Sequence, residues 1–109
     1  MSFDERLAER IRGSLGKCKG LIEKKMFGGV AFLLNGNMCV GVHKSDLIVR
    51  LAPEETDGAL SQPHTRRFDL TGRPMKGWIL VEPAGLKTDA KLSRWVQVAA
   101  TYASSLPAK

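Results

Sequence analysis

Cysteine is scarce in this chain of 109 residues, with Cys18 and Cys39 the only two. Two thiols at irregular spacing make no disulfide framework, and in a reducing compartment they are expected to stay free. Histidine is equally thin, at His43 and His64. Cys39 and His43 lie on one extended run, where four residues span roughly 13 Å, too far to share a zinc ion without bending the chain. No further Cys or His pair completes a set, so neither a metal nor another cofactor is expected. The chain also lacks any run near the roughly 20 apolar residues that cross a bilayer, and its first residues are polar and acidic rather than signal-like. A cytoplasmic protein without membrane contact is the expectation. No Gly-Lys-Ser/Thr loop follows a strand, which argues against a nucleotide-binding P-loop. A nucleophile needs a base within hydrogen-bonding reach, and nothing in the spacing of these few groups suggests one, so no enzyme activity is expected.

What is present is a run of short apolar segments broken by turn residues. Lys25 to Leu51 reads as a three-stranded antiparallel meander. Asn35-Gly36 suits a two-residue type I′ turn, in which both positions take φ > 0, and Asn37 is a candidate to lengthen that loop. On the first strand Met26, Gly28, Val30, Phe32 and Leu34 share one face, and Phe27, Gly29, Ala31 and Leu33 the other. The second strand places Met38, Val40 and Val42 opposite Cys39, Gly41 and His43. Gly28 and Gly29 inside a strand suggest a bulge or the close approach of another backbone.

Around this meander the pattern is helical. Ser2 is a candidate cap for a helix with Phe3, Leu7, Ile11 and Leu15 on its apolar stripe, stopping near Gly16. Lys17 to Lys24 reads as a basic, solvated connector. Pro53 to Ser61 begins like a short helix, with Glu54, Glu55 and Asp57 at its positive end. Trp78 to Val81 reads as a strand that joins the sheet. Thr88 caps a closing helix whose stripe runs through Leu92, Trp95, Val96, Ala99, Tyr102 and Ala103, spacing that favours core packing over a base-stacking platform. The expected architecture is α+β in two layers, an antiparallel sheet with helix, β-meander, helix, β and helix in order. One domain over residues 1–109 is the natural size.

Several of these segments together resemble a known family. Lys25-Met26-Phe27-Gly28-Gly29-Val30, then Asn35-Gly36-Asn37-Met38, Asp46 to Leu51, and Phe68-Asp69-Leu70-Thr71-Gly72-Arg73-Pro74-Met75-Lys76-Gly77-Trp78 are similar to the amino-terminal domain of the TfoX/Sxy proteins, bacterial regulators of natural competence. Met26, Phe27, Gly28, Gly29, Asn35, Gly36, Gly72, Arg73, Pro74, Met75, Gly77 and Trp78 carry the resemblance and read mainly as structural. It implies a regulatory module that contacts other proteins, in a short form without the carboxyl-terminal domain of longer members. The partner is unidentified, and a homodimer is one candidate.

The formal net charge is +6 and is uneven, with 9 Lys or Arg against 8 Asp or Glu up to Thr65 and 8 against 3 from Arg66 onward. Arg66, Arg67, Arg73 and Lys76 fall in one loop, and Lys87, Lys91 and Arg94 follow around the closing helix. Such clusters suit phosphate or carboxylate groups, which leaves nucleic-acid binding or small-anion sensing open beside the protein-contact reading. Pairing with Asp69, Glu54 or Glu55 is the simpler alternative for the loop cations.

Overall fold

The computed structural model describes residues 4–16, 19–26, 29–68 and 76–108. Six antiparallel strands form one sheet: β1 (Leu21–Met26), β2 (Gly29–Leu34), β3 (Asn37–His43), β4 (Asp46–Arg50), β5 (Thr65–Arg67) and β6 (Trp78–Val81). Their spatial order is β1-β2-β3-β4-β6-β5. Helices α1 (Glu5–Leu15) and α3 (Asp89–Ser105) pack against each other and against the sheet, while α2 (Thr56–Leu60) continues a 3₁₀ turn at Pro53–Glu55. The α+β, two-layer expectation therefore holds. Among the described residues no helix is long and apolar enough to cross a membrane.

The meander has four strands rather than three. Leu21–Met26 pairs along its length with β2, from Leu21 opposite Leu34 to Met26 opposite Gly29, although Leu21 to Lys24 were expected in a solvated connector and Met26 on the strand that follows. Its side chains hid it: Glu23, Lys24 and Lys25 face solvent on an edge strand, where charge protects the open edge from unwanted pairing. Arg12 of α1 anchors this edge through two hydrogen bonds of 2.6 Å to the Glu23 carboxylate. Those bonds hold the Glu23 carboxyl below the usual carboxylate range and raise the Arg12 guanidinium.

Asn35 and Gly36 form the expected tight turn, with φ of 52° and 84°. Asn37 does not lengthen it. It opens β3 opposite Leu34, fully buried, and its side-chain amide donates to the Pro107 carbonyl at 2.9 Å. Gly29 confirms the expected close approach, since a Cβ there would lie 1.9 Å from the Val42 carbonyl oxygen. The alternation expected for β3 fails at one residue. Phe32 pairs with Val40 but Leu33 with Met38, so Cys39 is the extra residue of a bulge. A bulge shifts the alternation by one, which puts Met38 on the opposite face from Val40 and leaves Cys39 with Val40 and Val42 among the helices.

Two cores result. The large one joins Val30, Phe32, Val40, Leu47, Val49 and Ile79 of the sheet to Leu7, Ile11, Leu92, Trp95, Val96 and Ala99 of α1 and α3. The small one, on the other face, holds Ile48, Phe68 and Leu80, with Met38 and Trp78 packed beside them. Trp95 is thus a core residue, as its helical spacing implies. The α1 cap is Asp4, which accepts from the Leu7 amide at 3.1 Å, and not Ser2, which lies with Phe3 outside the described residues. Thr88 caps α3 as expected, accepting from the Lys91 amide. The turn at Pro53 has its proline in place, but neither Glu54 nor Glu55 makes a side-chain capping bond.

Candidate functional site

Of the seven clustered cations, the six among the described residues are spread over different elements of the fold. Arg66 on β5 donates to Asp46, whose carboxylate is mostly buried, and stands 3.5 Å from Glu82. Its charge is answered within the fold, by acids other than those the loop itself suggests. Arg67, next on the same short strand, and Lys76 are exposed. Arg73 lies outside the described residues, as do Phe27, Gly28, Gly72, Pro74 and Met75. Lys87 lines a cleft of about 490 Å³ between α1 and the start of α3, shared with Arg6, Arg10, Asp4 and Asp89. There Arg10 is tied to the Leu86 carbonyl at 2.7 Å and to Asp89 at 3.2 Å. Lys91 and Arg94 are exposed on α3.

The family-motif residues that can be followed lie in the sheet and its turns. The Gly77 amide donates to the Thr56 hydroxyl at 2.8 Å, and its carbonyl accepts from Leu51 at 2.9 Å. With φ of 87° it makes the turn that aims Trp78 into β6, a backbone state that side chains disfavour. Trp78 then pairs with Arg50 across the β4–β6 ladder.

This pair starts the arrangement that sequence reasoning missed. The guanidinium carbon of Arg50 stands 5.3 Å from the centre of the Trp78 ring and 5.7 Å from that of Tyr102 on α3. Trp78 in turn tilts against Phe68 at a centroid separation of 5.7 Å. Each ring face attracts the cation, an effect of about 0.5–1 kcal/mol where solvent reaches and more where it is excluded. Among the described residues no carboxylate pairs with Arg50. From sequence, Arg50 was only the polar end of an apolar strand. The register that sets residue 50 beside residue 78 is the signal that would have exposed it.

Past Tyr102, the outer side of α3 forms an open groove of about 570 Å³. Val98, Tyr102 and Thr101 give it apolar walls, and Arg94, Glu55 and Ser105 stand around them. Among the described residues two large apolar side chains are exposed, Ile22 on β1 at 59% and Val98 at 36%. Tyr102, placed by its spacing on the packing stripe, is only half-buried and divides its ring between Arg50 and this groove. Among the described residues no cluster of three or more His, Cys, Asp or Glu could hold a metal ion.

No curated protein and no solved structure matches the chain. The sequence model described as the TfoX N-terminal domain matches residues 14–103, a span that holds every strand of the sheet, the Arg50, Trp78 and Tyr102 cluster and most of α3. The chain therefore belongs to the TfoX N-terminal domain family.

Proposed function

We propose that this domain is a cytoplasmic regulatory module that acts by contacting other proteins, in the manner of the amino-terminal domains of competence regulators. The observation that supports this reading best is the groove on α3. A 17-residue helix, held along its inner side by Leu92, Trp95, Val96, Ala99 and Ala103, turns Val98 and the edge of Tyr102 outward beside mixed charges. A rigid helix with an apolar strip and a polar rim is the usual anatomy of a protein-binding surface.

Affinity capture at physiological salt tests the reading, with the native protein beside Val98→Glu. This exposed position tolerates the charge without unfolding, so a specific partner held by the native protein is lost from the variant. Recovery of the same proteins by both, or of none by the native protein, counts against the reading.

One observation favours a second reading. Lys91 and Arg94 lie one turn apart on the solvent side of α3, with Lys87 just before it, and such a row can follow a phosphate backbone. Titration of labelled DNA and RNA at two salt concentrations separates the two. Saturable binding that weakens steeply with salt supports nucleic acid, and its absence at low salt removes that reading.

A further inference from the structure

The chemistry of the partner can be narrowed from Arg50. A guanidinium carries five N–H donors and no acceptor, and its planar fork matches a carboxylate with two parallel bonds. Three arginines of this fold have donors taken up by acids, Arg66 by Asp46 and Glu82, Arg12 by Glu23 and Arg10 by Asp89, while Arg6, Arg67 and Arg94 have no acid partner among the described residues. Arg50 differs from both groups, because among the described residues its guanidinium stands over two aromatic rings. Trp78 and Tyr102 restrict the guanidinium through their ring faces, yet supply no anionic acceptor for its fork. A cation held in place beforehand loses little further freedom when an anion arrives. Arg50 is also partly buried, and a charge pair formed there is screened less than one on the open surface.

The neighbouring groove supplies the rest of the specificity. Tyr102 touches both regions, with Arg50 over its ring and Val98 beside it in the groove. Arg94 gives the groove its own cation beside the Arg50 cluster, and Glu55 is the one acid of its lining among the described residues. An acidic side chain is therefore favoured near Arg50 and Arg94 and repelled near Glu55, while an apolar one fits against Val98 and Tyr102.

We propose that Arg50, together with the Tyr102 and Val98 groove, receives an acidic and apolar peptide segment of the partner, with a carboxylate on the Arg50 fork and an adjacent apolar side chain on Tyr102. This rests on the protein-contact reading of the domain and gives that contact a chemistry. Charge complementarity selects the occupant, because the cluster offers two cations and an apolar wall within one peptide's reach.

The test uses the full chain and an arrayed set of labelled octapeptides holding one or two Glu among Leu, Phe and Ser, each beside its Gln counterpart. Acidic members bind saturably, and the Gln counterparts bind about tenfold or more weakly. Arg50→Lys keeps a cation between the rings but removes the planar fork. It lowers affinity for the acidic peptides by a similar factor while its thermal midpoint stays near that of the native protein. Retention of no acidic member, equal binding of Glu and Gln peptides, or unchanged binding by Arg50→Lys would overturn the assignment. A partner captured by the native protein and by Arg50→Lys, but not by Val98→Glu, leaves the protein-contact reading standing and removes Arg50 from it.

Discussion

Ile79 and Leu80 are neighbours on β6, both fully buried, and they belong to different cores. Ile79 points to the face covered by α1 and α3, where apolar residues of three helices and four strands interlock. Leu80 points to the face where Ile48 and Phe68 are its buried companions and Met38 and Trp78 lie at the margin. The second face is thin partly because several of its positions on β2 and β3 are small: Gly29, Ala31 and Gly41 share it with Leu33 and Met38, where the first face has Val30, Phe32, Val40 and Val42. Stability thus concentrates on one side of the sheet. On the other, large side chains gather at one end, and Trp78 is the residue through which that small core reaches Arg50 and the surface.

The contrast is sharpest in adjacent truncations. Ile79→Ala is expected to cost about 4 kcal/mol, because close packing on the helix-covered face prevents collapse around the cavity. Leu80→Ala is expected to cost about 2–3 kcal/mol, since half-exposed neighbours can settle into the space. Chemical denaturation of both variants measures the difference. Equal losses would show that the two cores are equally well packed and end the distinction.

Gly29→Ala examines why the second face is thin. The added methyl would fall 1.9 Å from the backbone oxygen of Val42, and a backbone atom in a paired strand cannot step aside as a side-chain end can. A loss of about 3 kcal/mol is expected, read as a lower denaturation midpoint. An unchanged midpoint would mean that small residues here are a convenience of the sheet and no requirement of it.

The smallest effect concerns the sheet's open edge. Glu23→Gln removes one partner of the Arg12 pair, and because both groups are partly exposed the expected loss is only about 0.5 kcal/mol. Its pH dependence carries the sign. The folded-state carboxyl of Glu23 is depressed, so its contribution is present above the unfolded carboxylate pKa and fades as pH falls through the lower folded value. Stability of native protein and variant should therefore converge in acid. A gap that persists at low pH would assign the difference to packing instead of charge.

Local chemistry made much of the fold legible. The Asn35-Gly36 turn, the Thr88 cap, the Pro53 helix start and the apolar stripe of α3 depend on residues within a few positions of one another, and each formed as its sequence implies. Strand β1 escaped notice because an edge strand can be charged and still pair through its backbone. The Cys39 bulge escaped because an extra residue leaves no mark in composition, yet it reverses every later side-chain direction on that strand. The cation cluster was visible as a list of charges, but its distribution among ion pairs, cleft and open surface was not.

The amino-acid order alone determined the helices, the tight turns, the antiparallel class of the sheet and the excess of positive charge, because periodicity, capping and turn geometry act over a few residues. Only the tertiary structure decided that Arg66 would be neutralised by Asp46 and Glu82 while Arg50 met Trp78 and Tyr102. Those neighbours come from strands and a helix far apart in the chain. Which of them meet depends on strand register and on the packing of α3, quantities to which no single segment holds the key.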